Sequence, residues 1–138
     1  MIIIIDVNIF LSALIKDSTT REMILTCNQE FCFPERSFQK IRKYKSLIQK
    51  KSGLTDLDFL KLFHSLLKFI RIIPDEELLD YWDKAKQIME HIDPEDVTFI
   101  AAALSQENAI VWSDDRHFEK QDKVITMKTK DLVNLFRK

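Results

Sequence analysis

Acidic side chains occupy three turns of the sequence, and neither glycine nor lysine occurs in those turns. The five acids are Asp6, Asp93, Asp96, Asp114 and Asp115. The first directly follows the apolar run Ile2–Ile5, and the last two follow the run Ala109–Trp112. Carboxylates that converge on one edge of a sheet repel one another and need a counter-charge. Hard oxygen ligands of this kind favour Mg²⁺ or Mn²⁺, so the pattern predicts a divalent metal site.

Each acid also has an ordinary structural explanation. Asp93 and Asp96 suit the start of a helix, as an N-cap and a first-turn residue. Asp114 and Asp115 suit a turn. Asp6 is the hardest to explain in this way, because a carboxylate directly after a wholly apolar strand is costly unless it is used. The acids are a stronger signal together than any one of them is alone.

Five short apolar runs are predicted to be strands. They are Ile2–Ile5, Glu30–Phe33, Ile70–Ile73, Ala109–Trp112 and Val124–Met127. An unbroken apolar run, rather than an alternating one, is typical of a strand buried on both faces of a parallel sheet. Ligand sites in open α/β sheets form beyond the carboxyl ends of the strands. Acids that follow such runs therefore stand where a site is expected.

Helical patterns lie between the predicted strands. One buried stripe consists of Leu78, Leu79, Trp82, Ala85, Ile88, Met89 and Ile92, and a second of Phe59, Leu60, Phe63, Leu66 and Leu67. Val97–Leu104 is apolar nearly all round, which predicts a helix buried against the sheet. The stretch from Pro34 to Phe69 is predicted to hold two helices, broken near Ser52 and Gly53. Strands that alternate with helices indicate an α/β domain with a mainly parallel sheet.

Composition narrows the possible functions. The 138 residues are predicted to form one domain over residues 1–138. The single glycine, Gly53, excludes a Walker loop and a dinucleotide-binding fingerprint, which need several glycines at fixed spacing. A net charge of −1 excludes a basic coat over the whole surface but not a basic patch. The short apolar start and the two cysteines, five residues apart, predict a cytoplasmic protein that does not enter a membrane.

Three motifs, in order along the chain, resemble those of PIN domains, in particular the VapC-like ribonucleases of bacteria and archaea. The first is Asp6–Phe10 (DVNIF), directly after the first predicted strand. The second is Asp93–Leu104 (DPEDVTFIAAAL), and the third is Trp112–Phe118 (WSDDRHF), in which a serine stands two residues before an aspartate. With the matching pattern of strands and helices, the resemblance spans essentially the whole chain.

The resemblance implies an α/β/α three-layer sandwich whose mainly parallel sheet has four or five strands. It implies metal-dependent cleavage of single-stranded RNA at an acidic pocket that binds Mg²⁺ or Mn²⁺. The residues carried over by position are the metal ligands and catalytic acids Asp6, Asp96 and Asp115 and the supporting residues Asn8, Ser113 and Asp93. The resemblance further implies a homodimer and the toxin of a toxin–antitoxin pair. RNA, an antitoxin protein and a second copy of the chain are therefore the expected partners.

One position departs from the family pattern. PIN domains usually carry a glutamate on the helix after the second strand, just before the position matched by Ile41, where this chain has Lys40. Glu35 is the only acid on that helix, and five residues of helical rotation would turn it about 140° away from Lys40. A lysine in the pocket would partly replace the charge of the metal and weaken metal binding. The departure therefore bears on catalysis rather than on the fold.

A basic segment is the expected RNA-binding surface. Residues 36–51 contain seven lysines and arginines and no acid. The residues predicted to bind RNA are Lys40, Arg42, Lys43 and Lys45. Such a segment could carry RNA phosphates toward the metal, or it could be a solvated helix face. Tyr44, among these bases, could stack on an unpaired nucleobase.

Two alternatives to an active ribonuclease remain open from the sequence. The first is a PIN domain with weak or no catalysis that binds RNA or a partner protein, which Lys40 favours. The second is a receiver-like signalling domain, which also places acids after its strands and a lysine after the last one, here Lys128. Receiver domains usually have paired acids after the first strand, but Val7 follows Asp6. His117 stands beside the last acidic motif, although metal-dependent hydrolysis requires no histidine base.

Overall fold

The computed structural model describes residues 1–15 and 18–137 and contains a five-stranded parallel sheet. The strands are β1 (Ile2–Ile5), β2 (Glu30–Pro34), β3 (Ile70–Ile73), β4 (Ile110–Trp112) and β5 (Thr126–Met127). Their order across the sheet is β3-β2-β1-β4-β5, and every neighbouring pair is parallel. β1 is therefore the central strand, with β2 on one side and β4 on the other.

Helices connect and follow the strands. In chain order they are α1 (Val7–Ala13), α2 (Thr19–Thr26), α3 (Phe38–Lys43), α4 (Lys45–Ser52), α5 (Asp56–Leu67), α6 (Asp75–Leu78), α7 (Trp82–Met89), α8 (Val97–Ser105) and α9 (Thr129–Phe136). Short 3₁₀ turns span Glu35–Ser37, Leu79–Tyr81, Pro94–Asp96 and Arg116–Lys120. Among the helices of the described ranges, none has the length and apolar character needed to cross a membrane.

The five predicted strands are present, with differences at their ends. β2 extends one residue further than predicted, to Pro34, and β4 begins one residue later than predicted, at Ile110. β5 contains only the last two of its four predicted residues. Ile125 is 66% exposed, so this apolar run is only partly buried at the edge of the sheet. The side chains of β1 from Ile3 to Ile5 are fully buried, as its unbroken apolar run predicts.

The helices differ from the predictions in two regions. Between β2 and β3 there are three helices rather than two, because the chain leaves helical geometry at Tyr44 as well as at Gly53. Gly53 has a positive φ of 72°, which suits the end of a helix. The 3₁₀ turn Leu79–Tyr81 interrupts the segment from Leu78 to Ile92, which was predicted to form one buried helical stripe. Leu79 of that stripe is 68% exposed. Leu60 of the second predicted stripe is also exposed.

Helices flank both faces of the sheet, which gives the three-layer α/β/α sandwich. α6, α7 and α8 pack together, and α8 lies against β1, β2 and β4. α1 packs against α2 and α3, and α5 lies against β3. α8 is buried from Val97 to Ala103, as its apolar sequence predicts. Phe10, Phe33, Phe38 and Phe63 form an aromatic cluster that joins α1, β2, α3 and α5.

The register of the central strands determines where the acids lie. Ile5 is opposite Trp112 in the pairing of β1 with β4, so Asp6 and Ser113 leave the sheet side by side. The backbone N–H of Asp6 donates a hydrogen bond of 3.2 Å to the carbonyl oxygen of Trp112. The strand order also reverses between β1 and β4, which is where open α/β sheets form their binding crevice. The predicted site therefore lies at the carboxyl ends of these two strands.

Candidate metal centre

Asp6 joins the end of β1 to the start of α1. Its Oδ1 accepts a hydrogen bond of 2.8 Å from the N–H of Ile9, so the residue is the N-cap of α1. Its Oδ2 accepts a hydrogen bond from the hydroxyl of Ser113. Burial raises the pKa of the Asp6 carboxyl to about 6, and the negative charges of Asp115 and Asp114 add to this effect. Both oxygens of Asp6 are thus engaged by protein donors.

The turn after β4 extends this network. The hydroxyl oxygen of Ser113 accepts a hydrogen bond of 3.0 Å from the N–H of Asp115. Oδ1 of Asp115 in turn accepts one of 2.9 Å from the N–H of His117, and so caps the 3₁₀ turn that follows. A chain of hydrogen bonds from Asp6 through Ser113 therefore holds Asp115 near the carboxyl ends of β1 and β4.

Asp93 and Asp96 come from the turn that opens α8. Oδ1 of Asp93 accepts a hydrogen bond of 3.0 Å from the N–H of Glu95, which confirms the predicted cap. Oδ2 of Asp96 is buried and has no hydrogen-bond partner within residues 1–15 and 18–137. Burial, and to a smaller extent the neighbouring carboxyl groups of Asp93, Asp115 and Asp6, together raise the pKa of Asp96 from 3.8 to about 7. Asp96 is therefore a carboxyl group in surroundings that disfavour its charge.

His117 completes a group of four side chains, which we call the acidic group. One ligand atom from each of Asp93, Asp96, Asp115 and His117 lies within 4.8 Å of the others. Nδ1 of His117 is 2.9 Å from Oδ2 of Asp93, 3.2 Å from Oδ1 of Asp115 and 3.8 Å from Oδ2 of Asp96. This nitrogen is buried, yet it forms no aligned hydrogen bond to any polar atom of the described chain.

The donor set of the acidic group fits a divalent cation. Buried polar atoms normally form hydrogen bonds, so two neighbouring ones that form no aligned hydrogen bond, Asp96 Oδ2 and His117 Nδ1, need an explanation. A cation would pair both of them and offset the repulsion among the carboxylates. Carboxylate oxygens and an imidazole nitrogen are suitable ligands for such an ion. The four residues of the acidic group could therefore hold one.

The acidic group overlaps the predicted ligand set without matching it. Asp96 and Asp115 belong to both sets. Asp6 was predicted as a ligand but lies outside the group, while Asp93 was predicted as a supporting residue and lies inside it. His117 had no predicted role, and its only signal in the sequence is its position two residues after Asp115. The short 3₁₀ turn at that point brings its ring back over the acids.

Two neighbouring polar residues have other positions. Asn8 is exposed in the first turn of α1, which Asp6 caps, and its supporting role stays a prediction. Asp114 accepts hydrogen bonds from the N–H of Thr129 at 2.8 Å and from its hydroxyl at 2.7 Å. Asp114 therefore ties the turn after β4 to the start of α9.

Lys40 pairs with an acid beside the acidic group. Its Nζ is 2.7 Å from Oε2 of Glu95, which lies between Asp93 and Asp96 in the turn before α8. The ammonium therefore lies against the turn that carries Asp93 and Asp96, and Glu95 offsets its charge. Glu35 is exposed in the 3₁₀ turn before α3 and is not part of the acidic group.

The basic segment does not form one continuous surface. Lys40 faces the acidic turn, whereas Arg42 and Lys45 line an apolar groove between α3 and α5. Lys43 is exposed, and its ammonium lies 5.6 Å from the centre of the Tyr44 ring. RNA binding by these four basic residues stays a prediction.

Comparison with known proteins identifies the family. The sequence model described as PIN domain matches residues 4–134, a range that includes the acidic group, Asp6 and Ser113. A search of curated proteins finds no match for this chain. The receiver-like alternative is wrong, because that fold has the strand order 2-1-3-4-5 rather than the 3-2-1-4-5 order found in this sheet. The chain belongs to the PIN domain family.

Proposed function

We propose that this PIN domain is a metal-dependent nuclease that cleaves RNA. The observation that supports this most strongly is the acidic group, in which two neighbouring buried atoms form no aligned hydrogen bond within the described residues. Its four side chains are partly exposed, so a phosphodiester can approach them. A carboxylate site of this kind at a sheet edge suits phosphodiester hydrolysis.

The residues around the site have separate parts in this proposal. The four members of the acidic group would hold the cation. A bound divalent cation supplies activation of water and neutralisation of phosphate charge. Asp6 and Ser113 are positioning residues, because their hydrogen bond and the one from the N–H of Asp115 fix the turn that carries Asp115 and His117. Of the two proposed cations, Mn²⁺ accepts the imidazole nitrogen more readily than Mg²⁺ does.

Calorimetric titration with Mn²⁺ tests the metal site, and a labelled single-stranded RNA tests the reaction in the same samples. The test variant is Asp96→Asn. The matched control is Asp122→Asn, which changes an exposed aspartate before β5. We expect saturable Mn²⁺ binding and metal-dependent cleavage in the wild type and the control. In Asp96→Asn we expect binding at least about tenfold weaker and no cleavage.

Other results would lead to different conclusions. Metal binding without cleavage would favour the alternative of a PIN domain with weak or no catalysis, which Lys40 in place of the usual glutamate also favours. Cleavage that continues in EDTA would contradict the proposed metal site. Cleavage that is unchanged in Asp96→Asn would contradict it as well. Neither binding nor cleavage in any sample would contradict the nuclease proposal as a whole.

We further propose that the nuclease is the toxin of a toxin–antitoxin pair and forms a homodimer. The resemblance of its three motifs to those of VapC-like ribonucleases supports this. Induced expression in a bacterial host tests the first part: the wild type should arrest growth, and Asp96→Asn should not. Light scattering on the purified protein tests the second, and a monomer at micromolar concentration would contradict it.

A further inference from the structure

A groove of about 480 Å³, lined mostly by polar and charged residues, opens beside the turn that carries Asp93 and Asp96. Its walls come from α3 and the turn before it, from the start of α7, and from the turn that opens α8. Pro94 and Glu95 line the groove and also lie between Asp93 and Asp96 in the sequence. The groove therefore adjoins the acidic group through a shared turn.

One wall of the groove carries a flat, cationic platform. The guanidinium carbon of Arg36 lies 4.6 Å from the centre of the Trp82 ring. Both residues line the groove, and the side chain of Arg36 is 39% exposed. The guanidinium thus stacks on the indole and remains accessible. Unpaired nucleobases stack on aromatic rings and on arginine planes of this kind.

Two cations of the groove have exchangeable partners. Nε of Arg36 is 3.2 Å from Oδ1 of Asp75, and Lys40 is paired with Glu95. The two acids have side chains that are 46% and 72% exposed, respectively. Ion pairs this exposed contribute little to stability. A phosphate group can therefore replace either acid as the partner of the cation at small cost.

We propose that this groove binds single-stranded RNA alongside the acidic group. A nucleobase stacks on the pair formed by Arg36 and Trp82, and an adjoining phosphate pairs with Lys40. This inference rests on the proposed nuclease function and adds the residues that position its substrate. Duplex RNA does not fit, because its paired and stacked bases cannot lie on a side chain.

Tryptophan fluorescence offers a direct test. The chain has two tryptophans, and Trp112 is fully buried, so changes in emission on adding RNA report on Trp82. Single-stranded RNA of about ten nucleotides is titrated in Mg²⁺, with the duplex of the same sequence as a comparison. Asp96→Asn serves as the background in which the RNA stays intact. Cleavage by proteins that retain Asp96 is followed separately on gels.

Two arginines provide matched variants. Arg36→Ala removes the guanidinium that lies over the indole, and Arg137→Ala removes an exposed arginine at the end of α9, outside the groove. Arg36→Lys keeps the charge without the plane, and thermal melting shows which variants are folded. We expect saturable quenching by single-stranded RNA only. We expect binding about fivefold or more weaker in Arg36→Ala, a partial loss in Arg36→Lys, and little change in Arg137→Ala.

The outcomes separate this proposal from the nuclease function. Unchanged Trp82 emission, or equal losses in Arg36→Ala and Arg137→Ala, would overturn RNA binding in the groove. Full binding in Arg36→Lys would overturn the stacking role. The wild type could cleave RNA while the Arg36 variants bind and cleave it equally well. That result would refute RNA binding in the groove and leave the nuclease proposal standing. In the opposite outcome, quenching follows the expected pattern without cleavage under any condition tested. That result would refute the nuclease activity and leave RNA binding in the groove standing.

Discussion

At the scale of single residues, the Asp96 carboxyl group lies where its charged form is disfavoured. Its side chain is 14% exposed, and the carboxyl groups of Asp93 and Asp115 are close to it. Burial, then these neighbours, raise its pKa to about 7 from 3.8. Without metal, the folded protein therefore binds more protons than the unfolded chain between about pH 4 and pH 7. The free energy of unfolding should fall as the pH rises through this range.

The change Asp96→Asn should reduce this pH dependence in metal-free protein, and Asp6, whose pKa is also raised, should account for a remaining part of it. At pH 8 we expect the variant to be more stable than the wild type by about 1–2 kcal/mol, because no charge is forced into the site. Near pH 4 the two proteins should differ little, because Asp96 is then protonated when folded. Urea denaturation in EDTA across this pH range measures the effect.

The matched variant Asp122→Asn controls for general effects of charge. Its exposed side chain should leave the pH dependence of the wild type unchanged. A lower stability of Asp96→Asn at pH 8 would contradict the prediction. It would mean that contacts within the folded protein already stabilise the ionised carboxylate.

His117 should contribute to metal affinity. Its Nδ1 is close to all three carboxylates of the acidic group. We expect His117→Ala to weaken Mn²⁺ binding by about tenfold or more in calorimetry, while His91→Ala, at an exposed position, should have no effect. Unchanged or tighter binding in His117→Ala would contradict a role for this imidazole as a metal ligand.

At the scale of secondary-structure elements, an ion pair between Lys40 and Glu95 joins α3 to the turn before α8. The pair is partly exposed and contributes little stability by itself. We expect its effect on the site to be electrostatic, because Lys40 holds a positive charge against the turn that carries Asp93 and Asp96. A change of sign at Lys40 therefore alters the potential at the group without touching any of its four members.

The variant Lys40→Glu should bind Mn²⁺ a few-fold or more tightly than the wild type. It removes a nearby positive charge and adds a negative one, both of which favour a cation. The same change should weaken binding of single-stranded RNA, because Lys40 is the proposed phosphate partner. Calorimetry with Mn²⁺ and fluorescence with RNA, at one ionic strength, measure the two effects.

Lys43→Glu is the matched control for the Mn²⁺ measurement. Lys43 is exposed on the same helix, and its ammonium lies over the ring of Tyr44 rather than beside the acids. An equal rise in Mn²⁺ affinity in both variants would show a general effect of net charge. That result would contradict a specific role for the position of Lys40.

At the scale of the whole molecule, the candidate metal centre depends on contacts between distant segments. Asp93 and Asp96 precede α8, while Asp115 and His117 follow β4. These segments meet because α8 packs against the sheet and β4 pairs with β1. The unfolded chain does not present the four side chains together. A metal that binds the acidic group therefore binds the folded state preferentially and stabilises it.

Mn²⁺ should raise the unfolding temperature of the wild type, and EDTA should reverse the rise. At a free concentration of about 100 times the dissociation constant, we expect a gain of about 2.7 kcal/mol in the free energy of unfolding. Thermal melting monitored by circular dichroism measures the change. The gain should be much smaller in Asp96→Asn at the same concentration. An equal gain in stability in the wild type and in Asp96→Asn would mean that Mn²⁺ binds outside the acidic group.

Local patterns in the sequence were enough to predict the strands, the buried α8, the cap at Asp93 and the resemblance to the PIN family. These features depend on apolar periodicity and on residue types a few positions apart. The same patterns missed the helix break at Tyr44 and the exposure of Leu79. Periodicity shows which residues are apolar, but packing between elements decides where a helix ends and which face it buries.

The identity of the interacting atoms depended on the tertiary structure. The register of β1 with β4 brings Asp6 to Ser113, and the turn after β4 brings His117 over the carboxylates. The packing of α3 and α7 near the turn before α8 sets the ion pair of Lys40 and the stacking of Arg36 on Trp82. Side chains far apart in the chain meet only through strand pairing and helix packing, and short-range spacing does not specify either.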